Sequence, residues 1–413
     1  MQAAAPATAI TSGDGTYDPL NSQITAEPYP YYAKMRADEP VKWLPSLSAY
    51  AIARYDDVLS VLRDGKIFSS AQFWPALLGE FDPVPEAAPM ISMDPPHHMH
   101  LRKLANKAFV PSRIGSLQQR TVDITNQLVD DIIAKHGNEG TFDWVWEFTA
   151  LYPVTVIAEV LGIPTDRRSE FKHWVDDVLS ASNRASYNEA QLAQIRNSSD
   201  SLRAFFEDIY DQRAANPGND LLSSFITAEV DGEMLTRNEV LTMAILLLIG
   251  GVETTTNLLG NTLVELNRHP DVYDRVRADA ALIPGLLEEV LRFNPPVQII
   301  FRHSTEDTTI AGVDIPAGSA IIPLLASANR DDRVFANPDV FDIERKIEQP
   351  IMSFGQGPHF CLGNYLTRME ARSAMEIVLR RFEVLTPLSD EVHWMDSYFA
   401  RGPHTLPVRF KIR

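Results

Sequence analysis

The chain has one cysteine, Cys361, among 413 residues. A single thiol cannot form an intrachain disulfide, so a disulfide framework is excluded. Zinc ribbons and iron–sulfur clusters are excluded as well, because each needs several thiolates from one chain. One kind of metal site can still use a lone thiolate, namely a metal that takes a single axial cysteine ligand. A lone cysteine is more often a small buried apolar side chain, so its surroundings must decide between the two interpretations.

The charge balance narrows the class of partner. The chain carries 55 acidic and 37 basic side chains, and its formal net charge is −18. Phosphate binding needs clustered Lys and Arg, so we expect no nucleic-acid partner. The first residues lack the basic segment and the apolar core of a signal peptide. The longest apolar run, residues 243–252, is shorter than the ~20 residues of a membrane helix, which predicts a cytoplasmic protein without a membrane partner.

No internal repeat or low-complexity linker divides the chain, and its prolines are scattered. We expect residues 1–15 to form a disordered tail and residues 16–413 to form one domain. Apolar residues at helical spacing predict helices in the middle of the chain: 117–133, Leu151–Leu161 and 190–210.

A long central helix is predicted from a capping box. Thr236 and Glu239 have the required types and spacing, and the helix should run to about Arg268. It is apolar almost all round in its first half, so it should cross the core.

The pattern changes in the last third of the chain. A helix over 285–293 should end before Asn294-Pro295-Pro296, since a residue before proline avoids helical geometry. Short apolar or alternating segments then predict a small antiparallel sheet: Thr308–Ile310, Val313–Ile315 and 319–324. A helix over 364–382 and a strand over 406–410 follow. The fold class is therefore mainly α with a small antiparallel β region.

The loop around Cys361 has an unusual composition. It contains Gly355, Gly357 and Gly363, and an amphipathic helix follows it. Gly355 and Gly357 permit a bent backbone that can lie flat against a planar ligand. The start of the helix favours the thiolate and lowers the pKa of the thiol, and free backbone N–H groups at 362–364 can point at the sulfur. These features favour a ligand role over an inert buried thiol.

The same loop resembles the haem-ligand loop of the cytochrome P450 family. It matches that motif at every fixed position: Phe354, Gly355, Gly357, His359, Cys361 and Gly363. The resemblance extends over nearly the whole chain and implies a soluble bacterial haem-thiolate monooxygenase. Its single large fold would hold haem b between the long central helix and the helix after the Cys loop. Cys361 would then be the proximal iron ligand, with His359 at a haem propionate and Phe354 beside the sulfur.

A second match begins at Asp94-Pro95-Pro96 and contains His97, His98, His100 and Arg102. From the residues alone it could be a Pro-Pro helix start with exposed histidines. Three histidines could also suggest a metal site, but no Asp, Glu or Cys clearly completes one. The resemblance implies instead that His98 and Arg102 bind a haem propionate. It gives Arg302 the same role, for which a guanidinium is well suited.

A third match places an acid and a base on one helix face, at Glu289 and Arg292. Such pairs are common and usually solvated. They also resemble the Glu-x-x-Arg pair of the P450 family, and Arg345 would then be the third member. In that family the triad is structural and takes no part in the chemistry.

The fourth match is Gly250-Gly251-Val252-Glu253-Thr254-Thr255 in the long helix. The Thr254 hydroxyl can bond back to the Gly250 carbonyl and bend the helix. The alternative is ordinary close packing at the glycines. The resemblance implies a groove for dioxygen, with Glu253 and Thr254 as the catalytic pair that delivers protons. The acid is Glu where many members have Asp, which could alter the proton path.

The source of electrons must lie outside this chain. No dinucleotide fingerprint, P-loop or flavin motif is present, so we expect no bound NAD(P) or flavin. The resemblance implies a ferredoxin or flavodoxin donor with a separate reductase. Residues 94–120 carry a local net charge of +4 that could attract an acidic donor, unless it is an ordinary solvated face. The basic residues are Arg102, Lys103, Lys107, Arg113 and Arg120.

The resemblance also suggests a pocket for a hydrophobic small molecule. Its expected lining consists of Leu246, Ile249, Gly250, Val297, Ile300, Phe399 and Ala400, under a roof formed by 73–93 and 170–190. One oxygen atom from O2 would be inserted by hydroxylation or epoxidation, in a monomer. Alternatives that stay open are a peroxide-using or reductive haem-thiolate enzyme, and a haem gas sensor or electron carrier.

Overall fold

Helices dominate the chain in a computed structural model, which describes residues 15–109, 115, 117–163, 167–230 and 232–413. The helices of the described residues are, in chain order, α1 Ser22–Ala26, α2 Tyr29–Asp38, α3 Tyr55–Arg63, α4 Phe73–Leu78, α5 His97–Ala108, α6 Gln118–His136, α7 Leu151–Leu161, α8 Arg168–Ser180, α9 Glu189–Ala215, α10 Leu221–Thr227, α11 Arg237–Arg268, α12 Pro270–Ala278, α13 Ile283–Phe293, α14 Leu325–Ala328 and α15 Asn364–Arg381. The fold class predicted from the sequence is confirmed. The tail prediction for 1–15 falls almost entirely outside the described residues.

The strands of the described residues are short. They are β1 Val41–Leu44, β2 Ala49–Ile52, β3 Phe68–Ser69, β4 Glu139–Asp143, β5 Glu229–Val230, β6 Glu233–Met234, β7 Arg302–Ser304, β8 Thr308–Ile310, β9 Val313–Ile315, β10 Ala320–Pro323, β11 Phe382–Pro387, β12 His393–Trp394, β13 Pro403–Thr405 and β14 Pro407–Ile412.

The main sheet has the strand order β1-β2-β10-β7-β3, and only its β2–β10 pair is parallel. The small antiparallel sheet predicted over 308–324 is confirmed only for its first two segments. Within the described residues β8 and β9 pair with each other, while β10 pairs with β2 and β7. The partner strand β2 lies about 270 residues earlier in the chain, so local pattern could not reveal it.

Helix α11 forms the centre of the fold. Its start is the predicted capping box, in which the Thr236 hydroxyl accepts from the Glu239 N–H and the Glu239 carboxylate accepts from the Thr236 N–H. By length and composition it could span a membrane, yet 61% of its most apolar stretch is buried inside this protein. Its first half belongs to an apolar cluster of helices and its second half to a cluster that includes the sheets.

These two clusters are continuous, because Phe109, Val160 and Ile300 pack against both. A third cluster joins α1 and α2 to the main sheet and shares Phe301 and Phe399 with the helical cluster. One domain over 16–413 stays a prediction, which this sharing of side chains supports.

Candidate functional site

The backbone folds tightly before Cys361. The Cys361 N–H donates to the Phe354 carbonyl at 2.9 Å, and the Gly355 N–H donates to the Met352 carbonyl at 2.8 Å. Gly357 has φ +71°, and a Cβ there would lie 2.5 Å from the carbonyl oxygen of Leu62. Only glycine lets the loop approach the end of α3 this closely.

Two opposing effects act on the Cys361 thiol. Burial raises its pKa, while the backbone N–H groups of Gly363 and Asn364 and the charges of Arg102 and Arg368 lower it. The contribution of the helix start therefore has the predicted sign, but burial outweighs it. Because burial disfavours the thiolate, a cation bound at the sulfur would supply the stabilisation that the thiolate lacks.

His98 and His359 meet in the groove beside this loop. Their ring centroids lie 4.2 Å apart. His98 is only 2% exposed, and neither of its ring nitrogens has a hydrogen-bond partner among the described residues. Burial, reinforced by Arg302, His98 and Arg102, lowers the pKa of His359 to about 3. An unpaired buried imidazole such as that of His98 is costly, so this arrangement points to a ligand that accepts hydrogen bonds.

Two guanidinium groups complete this polar corner. Arg302 is 6% exposed, and burial lowers its pKa to about 10 against an opposing effect of Asp94. Its Nη1 donates only to the carbonyl of Phe301, at 2.7 Å, in the described part of the chain. Arg102 Nη2 donates to the carbonyl of Phe360 at 2.7 Å. Neither forms an ion pair with a described carboxylate, so this donor set fits the two propionates of a haem.

Helix α11 has open space beside it at Gly250. A Cβ at that position would meet no atom within 4 Å. The predicted back-bond is present, since Thr254 Oγ1 donates to the Gly250 carbonyl at 2.7 Å. Burial raises the pKa of Glu253 to about 7, against an opposing effect of Lys172 and together with Asp176. Lys172 and Asp176 form an ion pair with each other on α8. The sequence analysis did not assign either residue to the site.

The sequence analysis also missed a buried acid, Glu370. It lies on α15 and is 3% exposed, and Thr255 Oγ1 donates to its Oε1 at 2.8 Å. Tyr152 donates its hydroxyl to the Glu370 carbonyl at 2.9 Å. Burial raises the pKa of Glu370 to about 8. The signal was available, because Glu370 occupies the same apolar face of the helix as Leu366 and Ala374, where a charged residue is out of place.

The three residues of the predicted triad come together around Glu289. Glu289 accepts from Arg292 Nη2 at 2.7 Å and from Arg345 Nε at 3.2 Å. Arg292 Nη1 also donates to the carbonyls of Asn329 and Pro338. Glu289 and Arg292 are almost completely buried, so the geometry is that of a structural lock.

The family model of cytochrome P450 matches residues 40–408. The chain belongs to the cytochrome P450 family. It is 36% identical to cytochrome P450 109 of Bacillus spizizenii, over 94% of this chain and 92% of that protein. It is 35% identical to the vitamin D(3) 25-hydroxylase of Pseudonocardia autotrophica, over 96% and 97% of the two chains.

A solved relative supports the same assignment. The structure of cytochrome P450 CYP109Q5 from Chondromyces apiculatus is 39% identical, covers 97% of this chain and 99% of its own, and has a TM-score of 0.88. The protein is therefore a P450 monooxygenase, an oxidoreductase of a family that carries haem.

Most of the residues expected to line the P450 pocket lie in or against two large apolar clusters. Leu246, Ile249, Ile300 and Phe399 belong to or pack against the helical apolar cluster. Val297 packs against the other large cluster, and its backbone pairs with that of Ala400. This pairing brings the expected wall and the C-terminal turn together.

The basic segment of the P450 is weaker as a surface patch than its composition indicates. Arg102 points inward, and Lys107 Nζ donates to the Glu229 carbonyl at 3.0 Å. Arg120 is paired with Glu159 and Asp123. Lys103 is exposed on α5. Arg113 lies outside the described residues. The ion pair with Glu159 of α7 neutralises the charge of Arg120, which the sequence alone counts as free.

The outer histidines of α5 face carboxylates of other elements. His97 Nε2 lies 3.3 Å from Glu239, and His100 Nε2 lies 3.6 Å from Glu233. In the described part of the chain no group of three His, Cys, Asp or Glu side chains is placed to hold a metal ion. The three histidines therefore point to three different partners.

Proposed function

We propose that this P450 binds haem b through Cys361 and inserts one oxygen atom of O2 into a hydrophobic small molecule, by hydroxylation or epoxidation. The observation that carries the proposal is the unpartnered, buried His98 ring packed against the tilted ring of His359 beside Cys361. A haem propionate would accept the hydrogen bond that the His98 ring does not donate to any described residue.

Residues of this chain would hold the haem through its propionates and its iron. His98, Arg102, Arg302 and His359 would bind the propionates, and Cys361 the iron. Bound in this way, a haem thiolate supplies the electron density that favours O–O cleavage. Phe354, Gly355 and Gly363 would shape the surface around the sulfur, where the N–H of Gly363 already stabilises negative charge.

Glu253 and Thr254 would deliver protons to the groove. The Thr254 hydroxyl is held by the Gly250 carbonyl at 2.7 Å, which keeps its oxygen at the open part of α11. A carboxyl with a pKa of about 7 exchanges protons readily near neutral pH. The nearby pair of Lys172 and Asp176 would connect this carboxyl to solvent.

The apolar residues near α11 and the exposed Lys103 support proposals for the substrate and for the electron donor. Its apolar neighbours favour a hydrophobic molecule, and the vitamin D(3) 25-hydroxylase relative supports hydroxylation. Electrons would come from a ferredoxin or flavodoxin that docks near Lys103 and is itself reduced by a separate reductase.

We propose further that the protein is a cytoplasmic monomer.

The alternative functions differ in what the groove must do. A peroxide-using or reductive enzyme would not need the proton path, so the Glu253–Thr254 pair favours O2 activation. A gas sensor or electron carrier would not need apolar walls such as Ile249 and Ile300. Oxygen uptake that depends on an added hydrophobic compound, with a generic ferredoxin system, separates the monooxygenase from both.

The experiment is the spectrum of the reduced protein under carbon monoxide. We expect the red-shifted Soret band of thiolate-bound haem in the wild type and its loss in Cys361→Ser. His100→Gln, an imidazole on the outer face of α5, is the matched control and should keep the band. An unshifted band in fresh wild-type protein with full haem content would refute thiolate ligation.

A further inference from the structure

Arg368 lies in the second turn of α15, the helix that follows Cys361. Its Nε and Nη2 donate to the two carboxylate oxygens of Glu288 on α13, the second at 3.0 Å. Its Nη1 donates to the side-chain oxygen of Asn364 at 3.2 Å. A guanidinium held by three hydrogen bonds has little freedom to move, so its charge has a fixed position.

Two neighbours of Arg368 are bonded to the backbone of the proposed iron ligand. Asn364, which accepts from Arg368, donates its Nδ2 to the Cys361 carbonyl at 2.8 Å. The guanidinium carbon of Arg368 also lies 4.4 Å from the centre of the Phe354 ring. The Phe354 carbonyl in turn accepts from the Cys361 N–H at 2.9 Å. The arginine therefore contacts the Cys361 loop on both sides of the cysteine.

The charge of Arg368 acts on the sulfur as well. Burial raises the pKa of the Cys361 thiol, whereas the charges of Arg102 and Arg368 lower it. Arg102 belongs to the proposed propionate corner. The sequence analysis assigned Arg368 no role, although its charge favours the same thiolate.

An arginine near this loop could instead contact an electron donor, but the contacts of Arg368 favour an effect within the protein. Its side chain is only 35% exposed, and Glu288 pairs with it towards α13. The Phe354 ring covers the face of its guanidinium. The ion pair is therefore a dipole whose positive end contacts the Cys361 loop.

We propose that Arg368 is a positioning residue for the iron ligand, and that its fixed charge makes the haem iron easier to reduce. This inference rests on the proposed function, since it concerns the thiolate that Cys361 would provide. In the reduction step the ferredoxin or flavodoxin donor loses one electron and ferric iron gains it. A nearby positive charge stabilises the added negative charge and weakens electron donation by the thiolate.

The test is a spectroelectrochemical titration of the haem-loaded protein without substrate. In Arg368→Gln we expect the equilibrium constant for one-electron reduction to fall about threefold, or ~30 mV at 59 mV per tenfold change. The C–O stretching frequency of the ferrous carbon monoxide complex should also fall, because a more strongly donating thiolate increases back-donation to the ligand. Arg368→Lys keeps the charge and should restore more than half of both losses.

A second variant separates charge from a loosened loop. Glu288→Gln removes the negative end of the pair and leaves Arg368 its contacts with Asn364 and Phe354, so the equilibrium constant should rise. A purely structural role of the pair would shift Arg368→Gln and Glu288→Gln in the same direction.

Arg372→Gln is the matched control. Arg372 lies one turn further along α15, is 56% exposed and pairs with Glu376. Its loss removes the same charge from the same helix, and solvent screens this charge, so both measured quantities should stay at their wild-type values.

The outcomes are distinct. A wild-type equilibrium constant in Arg368→Gln, an equal fall in Arg368→Lys, or a fall in Glu288→Gln would overturn the inference. Absence of the red-shifted Soret band from the reduced wild type under carbon monoxide would instead refute the haem-thiolate site on which it rests.

Discussion

Thr255 donates a hydrogen bond from Oγ1 to Oε1 of Glu370 at 2.8 Å. The bond joins the residue after Thr254 on α11 to the buried acid of α15, the helix that follows Cys361. A neutral carboxyl suits this place, because an isolated buried carboxylate would lack a compensating charge. The helix that carries the proposed proton donor is thereby fixed to the helix that orients the proposed iron ligand.

Glu370 should make stability depend on pH. Its folded pKa of about 8 lies above the ordinary value of 4.5. The neutral carboxyl therefore contributes its full stability below pH 4.5, and this contribution is lost as the pH rises towards 8. At about 1.4 kcal/mol per pKa unit, Glu370→Gln should gain a few kcal/mol relative to the wild type between pH 5 and 8. Denaturant unfolding at several pH values measures this difference.

The control for that experiment is Glu376→Gln on the same helix, whose carboxylate is exposed and paired with Arg372. Its stability should follow the wild-type pH profile. Parallel pH profiles of Glu370→Gln and the wild type would show that Glu370 is ionised at neutral pH.

Glu253→Gln should slow proton delivery. The amide keeps the shape of the side chain but cannot exchange a proton, so we expect a loss of about 100-fold in product formation. Because the pKa of Glu253 is raised to about 7, the proton-donating form is lost as the pH rises through 7. The wild-type rate should fall over that range, and the low rate of the variant should not.

The measurement uses a compound selected for its shift of the ferric spin state. Product formed per O2 consumed is followed from pH 6 to 8.5, and ferric binding of the compound is checked in both proteins. A variant rate within threefold of the wild type, with the same pH profile, would exclude Glu253 as the donor.

Glu289→Ala should destabilise the fold strongly. It leaves Arg292 buried without its partner, which costs about 3 to 5 kcal/mol in comparable buried pairs. The denaturant midpoint and the haem content should both fall. By contrast, Arg275→Ala removes an exposed pair with Glu344 and should change stability by less than about 1 kcal/mol. Similar small losses in the two variants would contradict a structural role for the triad.

Lys103→Glu should slow reduction by an acidic ferredoxin. Lys103 is exposed on α5, and like charges across an interface reduce the association rate. We expect a loss of about tenfold at low salt that shrinks at high ionic strength. Arg120→Gln is the control, because Glu159 already neutralises Arg120, and its rate should stay within twofold. Equal, salt-insensitive rates in both variants would place the docking surface elsewhere.

Local sequence identified most residues of the candidate site. The spacing from Phe354 to Gly363 is long and specific, and the back-bond from Thr254 to Gly250 follows from helix geometry alone. The apolar face of α15 marks Glu370 as an unusual acid, but its partner Thr255, 115 residues earlier in the chain, could not be read from that pattern. Lys172 and Asp176 were missed for the same reason, since α8 reaches Glu253 only through tertiary packing.

The sequence by itself determined the central helix, its capping box and the family motifs, because each depends on residues a few positions apart. Tertiary structure alone decided the electrostatics of the site. Burial outweighs the helix start at the Cys361 thiol, and ion pairs between elements cancel charges such as that of Arg120. Both effects appear only when segments far apart in the chain are brought together, since no local pattern records which groups will face each other.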